Sequence, residues 1–102
     1  MHELNRIADR LLSELSSLGI RQIEEQWHPE SFGSGLIVLG RTSPELRLVW
    51  DGKDAWAWLQ AVRPSGEWVD VAGPMKEGDF PFGVPDAGKL GQVVVAARRA
   101  LS

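Results

Sequence analysis

His28 lies close in sequence to Glu24, Glu25 and Glu30. An imidazole among carboxylates is the composition of a general base or of a metal site. The spacings here match no recognised ligand set, and His28 opens a loop-like stretch, so a surface histidine is expected. His2 stands at the very start of the chain. Asp51 and Asp54 form a second candidate pair of carboxylates. Asp51 already has a sufficient task in a turn, however, and Asp54 reads as solvated. Gly33-Ser34-Gly35 is too short for a phosphate-binding loop and is not followed by Gly-Lys-Ser/Thr. No nucleophile elbow is present. The absence of cysteine excludes disulfide scaffolds, thiol nucleophiles and cysteine-based zinc sites. The expectation is a protein that is not an enzyme, with no catalytic residues, no metal and no cofactor.

The five tryptophans, Trp27, Trp50, Trp56, Trp58 and Trp68, stand in a chain without tyrosine and carry more information. Where they point depends on the elements that hold them. Leu4, Ile7, Leu11, Leu15 and Leu18 recur every three or four residues, which predicts a helix over about residues 2–18 with Gly19 as its left-handed cap. Ile20–Trp27 is a candidate strand of imperfect alternation, and residues 28–35 are loop chemistry. Leu36–Leu39 is apolar on both faces, as a central strand would be. Leu46–Trp50 is the next strand. Asp51-Gly52 then predicts a two-residue hairpin turn, pairing Trp50 with Lys53, Leu48 with Ala55 and Leu46 with Ala57.

In that hairpin Leu46, Leu48, Ala55, Ala57 and Leu59 share one face. Glu45, Arg47, Val49, Asp54, Trp56 and Trp58 share the other, with Arg47 across from Trp56 and expected to stack on it. Residues 63–66 (RPSG) close a second hairpin. With a three-residue loop, Trp68 joins Trp56 and Trp58, and Asp70 joins that face too; with a two-residue loop Trp68 points the other way. Residues 73–85 read as a long loop. Asp86 is a natural N-cap for a last helix with the stripe Leu90, Val93, Val94, Ala97 and Leu101.

The whole is expected to be one α+β domain over residues 1–102. A helix, an antiparallel meander of four or five strands and a second helix form a two-layer sandwich, with both helices on one sheet face. Hydrophobic residues at 43% and charged residues at 25% argue against disorder. The net charge of −3 is uneven: residues 24–86 hold eleven acids and five bases, while residues 87–102 are net basic. An acidic middle repels phosphate backbones, which speaks against nucleic acid, and suits a basic protein partner. No apolar run is long enough to span a bilayer, and the chain starts without a signal-peptide pattern, so no membrane is expected and the cytoplasm is the expected location.

Two helices cover one sheet face only. The other carries Trp56 and Trp58, and its cover would be Phe80 and Phe82 from the long loop, a second copy as a homodimer, or another protein. The leading expectation is a non-enzymatic protein-interaction domain, with Trp56 and Trp58 as anchors and Arg47, Glu45, Asp54 and Asp70 as rim. In size, charge and architecture the chain resembles small acidic bacterial accessory proteins, such as toxin-neutralising immunity proteins and secretion chaperones. The alternative is a small-ligand module, its pocket between the sheet and residues 73–85 and lined by Trp58, Trp68, Phe80 and Phe82.

Overall fold

The computed structural model describes residues 3–76 and 87–102. Helix α1 (Glu3–Glu14) buries Leu4, Ile7, Ala8 and Leu11. It ends earlier than the apolar spacing predicts. After Glu14 the chain tightens into a 3-10 turn (Ser16–Leu18), and Gly19 closes it in the left-handed conformation at φ 76°, its N–H donating to the Ser16 carbonyl. Leu15 remains fully buried at this transition, while Leu18 is exposed.

Five antiparallel strands follow in meander order: β1 (Arg21–His28), β2 (Ser34–Gly40), β3 (Pro44–Asp51), β4 (Trp56–Val62) and β5 (Trp68–Lys76). Helix α2 (Ala87–Leu101) closes the chain and buries Leu90, Val93 and Ala97. Its expected cap, Asp86, lies outside the described residues. Arg98, in the last turn of α2, donates from Nη2 to the Glu14 carbonyl at 3.1 Å. A cation thus meets the negative end of α1 and ties the two helices together.

Both helices lie on one face of the sheet, α1 over β2 and β3 and α2 over β4 and β5. The strand residues they cover alternate, as period-two side chains must. Ile37 and Leu39 come from β2, Leu46, Leu48 and Trp50 from β3, and Ala57, Leu59 and Ala61 from β4. This is the expected α+β two-layer sandwich.

The β3–β4 hairpin corrects the expected pairing. Asp51 opens a four-residue connection, Gly52 to Ala55, instead of occupying a two-residue turn. The Asp51 carboxylate accepts the N–H groups of Lys53 at 3.0 Å and Asp54 at 3.4 Å. Leu48 now faces Leu59, and Leu46 faces Ala61. The shorter turn would have set Leu48 against Ala55 and carried Leu59 out to Pro44 at the end of the sheet. The longer connection keeps the large Leu59 at its centre, where it is fully buried. The partners move by four residues, an even number, so the faces stay as expected.

The β4–β5 hairpin takes the three-residue option. Arg63 N–H donates to the Glu67 carbonyl and Gly66 N–H to the Arg63 carbonyl, both at 2.8 Å, with Gly66 left-handed. Trp68 consequently pairs with Val62. β5 also runs further than expected. Two register shifts opposite Leu59 carry it on to Lys76, so residues 73–76 are strand and not loop. Gly73 sits in this irregular stretch at φ 125°. A Cβ there would stand 2.9 Å from the Trp58 ring and 3.0 Å from the Ala57 carbonyl oxygen. Only glycine allows both the conformation and the close approach.

Candidate interaction face

The sheet face turned away from the helices is organised in rows, because opposed residues of antiparallel strands share a face. One row crosses the whole sheet as Glu24, Val38, Arg47, Gln60 and Asp70. The next runs Gln26, Leu36, Val49 and Trp58, apolar over the three central strands. The third holds Asp51, Trp56 and Lys76. On the far side of the first row, Val62 and Trp68 pair beside Glu45. An apolar band is thus flanked by polar rows.

The first row is locked by hydrogen bonds along its length from Arg47 to Asp70. Arg47 Nε donates to Gln60 Oε1 at 2.6 Å, and Gln60 Nε2 donates to Asp70 Oδ1 at 2.7 Å. The Arg47 guanidinium lies 4.4 Å from the centroid of Trp68. This corrects the expected stacking on Trp56: the four-residue connection moves Trp56 opposite Asp51 and brings Gln60 opposite Arg47. Burial pushes the Arg47 pKa down, opposed by the nearby Asp70 carboxylate. Trp56 has a different cation, Lys76 Nζ at 5.0 Å from its ring centroid, and meets Trp58 edge to face with centroids 6.5 Å apart. Trp56 and Trp68 therefore each give one ring face to a cation of their own chain.

Of the expected rim, Glu45 is on this face but engaged. Arg41 donates to it from its backbone N–H at 2.9 Å and from Nε at 3.0 Å, and Nη2 reaches the second oxygen. The Arg41 hydrogen bonds hold the Glu45 carboxyl below the usual range. Asp54 is not on the face, because it belongs to the β3–β4 connection. Gln60 and Lys76 complete the site and were not expected in it. Gln60 was readable from its alternation with Trp56 and Trp58. Lys76 was hidden because β5 was expected to stop at residue 72. Trp58 and Trp68 share the face, whereas Phe80 and Phe82 lie outside the described residues.

The histidine cluster does not assemble. His28 Nδ1 is 3.4 Å from Glu30 Oε1, with both side chains exposed. Glu24 points to the outer face opposite Val38, while Glu25, opposite Ile37, points to the helix side. There Glu25 accepts from Asn5 at 3.0 Å, Trp27 Nε1 at 2.6 Å and Gln22 at 3.3 Å. Among the described residues, no three His, Asp or Glu side chains gather as metal ligands would. Compared with protein families, with curated proteins and with solved structures, the chain finds no match.

Proposed function

We propose that this chain is a non-enzymatic protein-interaction domain that docks through the outer face of its sheet. One observation carries the reading. Trp56, Trp58 and Trp68 stand on the face opposite both helices, around the apolar row of Leu36, Val49 and Trp58. An apolar centre with aromatic anchors and a polar rim is the anatomy of a protein interface. The rim is pre-ordered by the Arg47–Gln60–Asp70 chain, which lowers the entropy lost on docking. The acidic stretch of residues 24–86 favours a basic partner. Toxin-neutralising immunity proteins and secretion chaperones, which the chain resembles in size and charge, are the kind of accessory protein this reading fits. No described helix is long and apolar enough to cross a membrane, and the reading places the chain in the cytoplasm. A small-ligand pocket on Trp58 and Trp68 is the weaker reading, because Arg47 already lies over the Trp68 ring.

The test is a tagged chain recovered from its source organism beside a Trp56→Ala/Trp58→Ala double variant, followed by affinity measurement with the purified partner. The expected result is one stoichiometric partner and a loss of affinity of about 30-fold or more in a variant that still melts cooperatively. A chain recovered alone, whose double variant no longer folds, would show these tryptophans to be structural and end the reading.

A further inference from the structure

The connection between β1 and β2 holds a large aromatic residue where its type is least suited. After a 3-10 turn at Pro29–Ser31, Phe32 (φ 59°) and Gly33 (φ 76°) reverse the chain in two successive left-handed residues. Glycine adopts that conformation freely, and asparagine or aspartate tolerate it, but a bulky side chain there is an outlier. Packing does not offset the strain, since Phe32 is 72% exposed, the most exposed large apolar side chain among the described residues. A single exposed apolar residue is ordinary. One that is exposed and also held in a disfavoured backbone conformation works against the fold twice. Such conflicts between a local choice and the fold concentrate at functional positions.

The backbone beneath the ring is firmly placed. A Cβ on Gly52 would stand 2.0 Å from the Phe32 carbonyl oxygen, and Gly52 N–H donates to Ser34 Oγ at 3.0 Å. The β1–β2 connection is thereby clamped against the β3–β4 connection, one residue from Asp51, which pairs with Trp56. An aromatic ring presented from a fixed backbone is how a hot-spot anchor fills a pocket, because little freedom is lost when it docks.

We propose that Phe32 is a docking anchor that inserts into an apolar pocket of a second, different protein whose pocket rim is basic. The charge around the ring selects this partner. Glu30 is exposed two residues before it, the neighbouring connection follows Asp51 and carries exposed Asp54 against exposed Lys53, and residues 24–86 are net acidic, so acids outnumber bases at this end of the sheet. An anionic membrane surface would be repelled, and a second copy, whose net charge is also acidic but whose helix α2 is basic, is told apart by the test. The contact does not require the tryptophan face to be open, and it stands if that face proves closed.

The test places a benzophenone-bearing phenylalanine analogue at position 32 in the source organism, and in parallel at exposed Ser13 on α1 as a control. The captured protein is then purified, and its affinity is measured for the wild type, Phe32→Asn, Phe32→Gly and Trp56→Ala/Trp58→Ala. The expected result is a discrete adduct from position 32 only, with affinity falling about 30-fold or more in both Phe32 variants. Phe32→Asn should also melt about 3–6 °C higher than the wild type, because asparagine relieves the left-handed position. No adduct, an adduct to lipid or to the chain itself, or unchanged affinity in the variants would overturn the inference. So would a lower melting temperature in both variants, which would mean that Phe32 packs within its own chain. Loss of affinity in the double tryptophan variant with normal binding by the Phe32 variants would sink this inference and leave the tryptophan reading standing; the reverse would do the opposite.

Discussion

Glu45 and Arg47 stand two residues apart on β3, on the same face, and their surroundings act on them in opposite ways. Arg47 is partly withdrawn from water, and what it loses in solvation is offset only in part by Gln60, by the Trp68 ring and by Asp70 further along the row. Glu45 gains three hydrogen bonds from Arg41, which hold its carboxyl below the ordinary 4.5. A carboxyl whose pKa is lower in the folded state than in the unfolded one contributes stability that is complete above the unfolded value. That contribution is lost as pH falls through the folded value. Glu45→Gln should therefore be less stable than the wild type at neutral pH, and the gap should close as the pH drops below 4.5. Urea melts of both proteins from pH 7 downwards would read it; a gap constant with pH would show that the Arg41 contact is not its source. The effect should be modest, since Arg41 is largely in solvent and surface ion pairs contribute little. The Arg41–Glu45 contact illustrates what the sequence leaves unread: Glu45 could be placed on its face by alternation, but its partner depended on how the turn before β3 folds back.

At the scale of elements, the β3–β4 hairpin separates what alternation reveals from what it does not. The assignment of Leu46, Leu48, Ala57 and Leu59 to the core, and of Arg47, Val49, Trp56 and Trp58 to the opposite face, was legible because it needs only the parity of the register. The pairings were not legible, because Asp-Gly permits more than one connection length and the choice is made by burial of Leu59 against Leu48. The length of β5 was hidden for a related reason: its register shifts break the alternation, and Gly73 and Pro74 look like a loop when read singly. The helix at the start was clear in type and overlong in extent, since Leu18 continues the spacing but belongs to a 3-10 turn. The asymmetry of the hairpin yields a sharp expectation. Leu59→Ala should cost about 2–5 kcal/mol, as truncations in filled cores do. Val49→Ala, on the partly exposed outer face of the neighbouring strand, should cost under about 1 kcal/mol. Denaturant midpoints would measure both. Equal losses would mean that the outer face is packed as tightly as the core, and the interaction reading would lose its ground.

For the molecule as a whole, one-sided burial implies a gradient of stability across the sheet. β3 has a bonded strand on each side and its helix-facing residues Leu46 and Leu48 are fully buried. β1 lies at an edge of the sheet, and all its side chains but Trp27 are exposed. Local opening tracks the density of buried contacts and bonded neighbours. Amide hydrogen exchange of the free protein should accordingly be slow in β2, β3 and β4, which are bonded on both sides, and fastest in β1. The helix side of β1 is nonetheless pinned at Glu25, which joins Asn5 of α1 to Trp27, so Glu25→Ala should quicken exchange in β1 and leave β3 unchanged. Uniform protection across the five strands would mean that opening is global and that β1 is no weaker than the centre. The same measurement extends to the functional reading, because a partner seated on Leu36, Val49, Trp58 and Trp68 touches β2, β3, β4 and β5. Docking there should slow exchange from β2 through β5 together, while docking at Phe32 alone should slow only the two neighbouring connections at that end of the sheet. The pattern of protection on binding thus reports which surface the partner holds without any substitution in the chain.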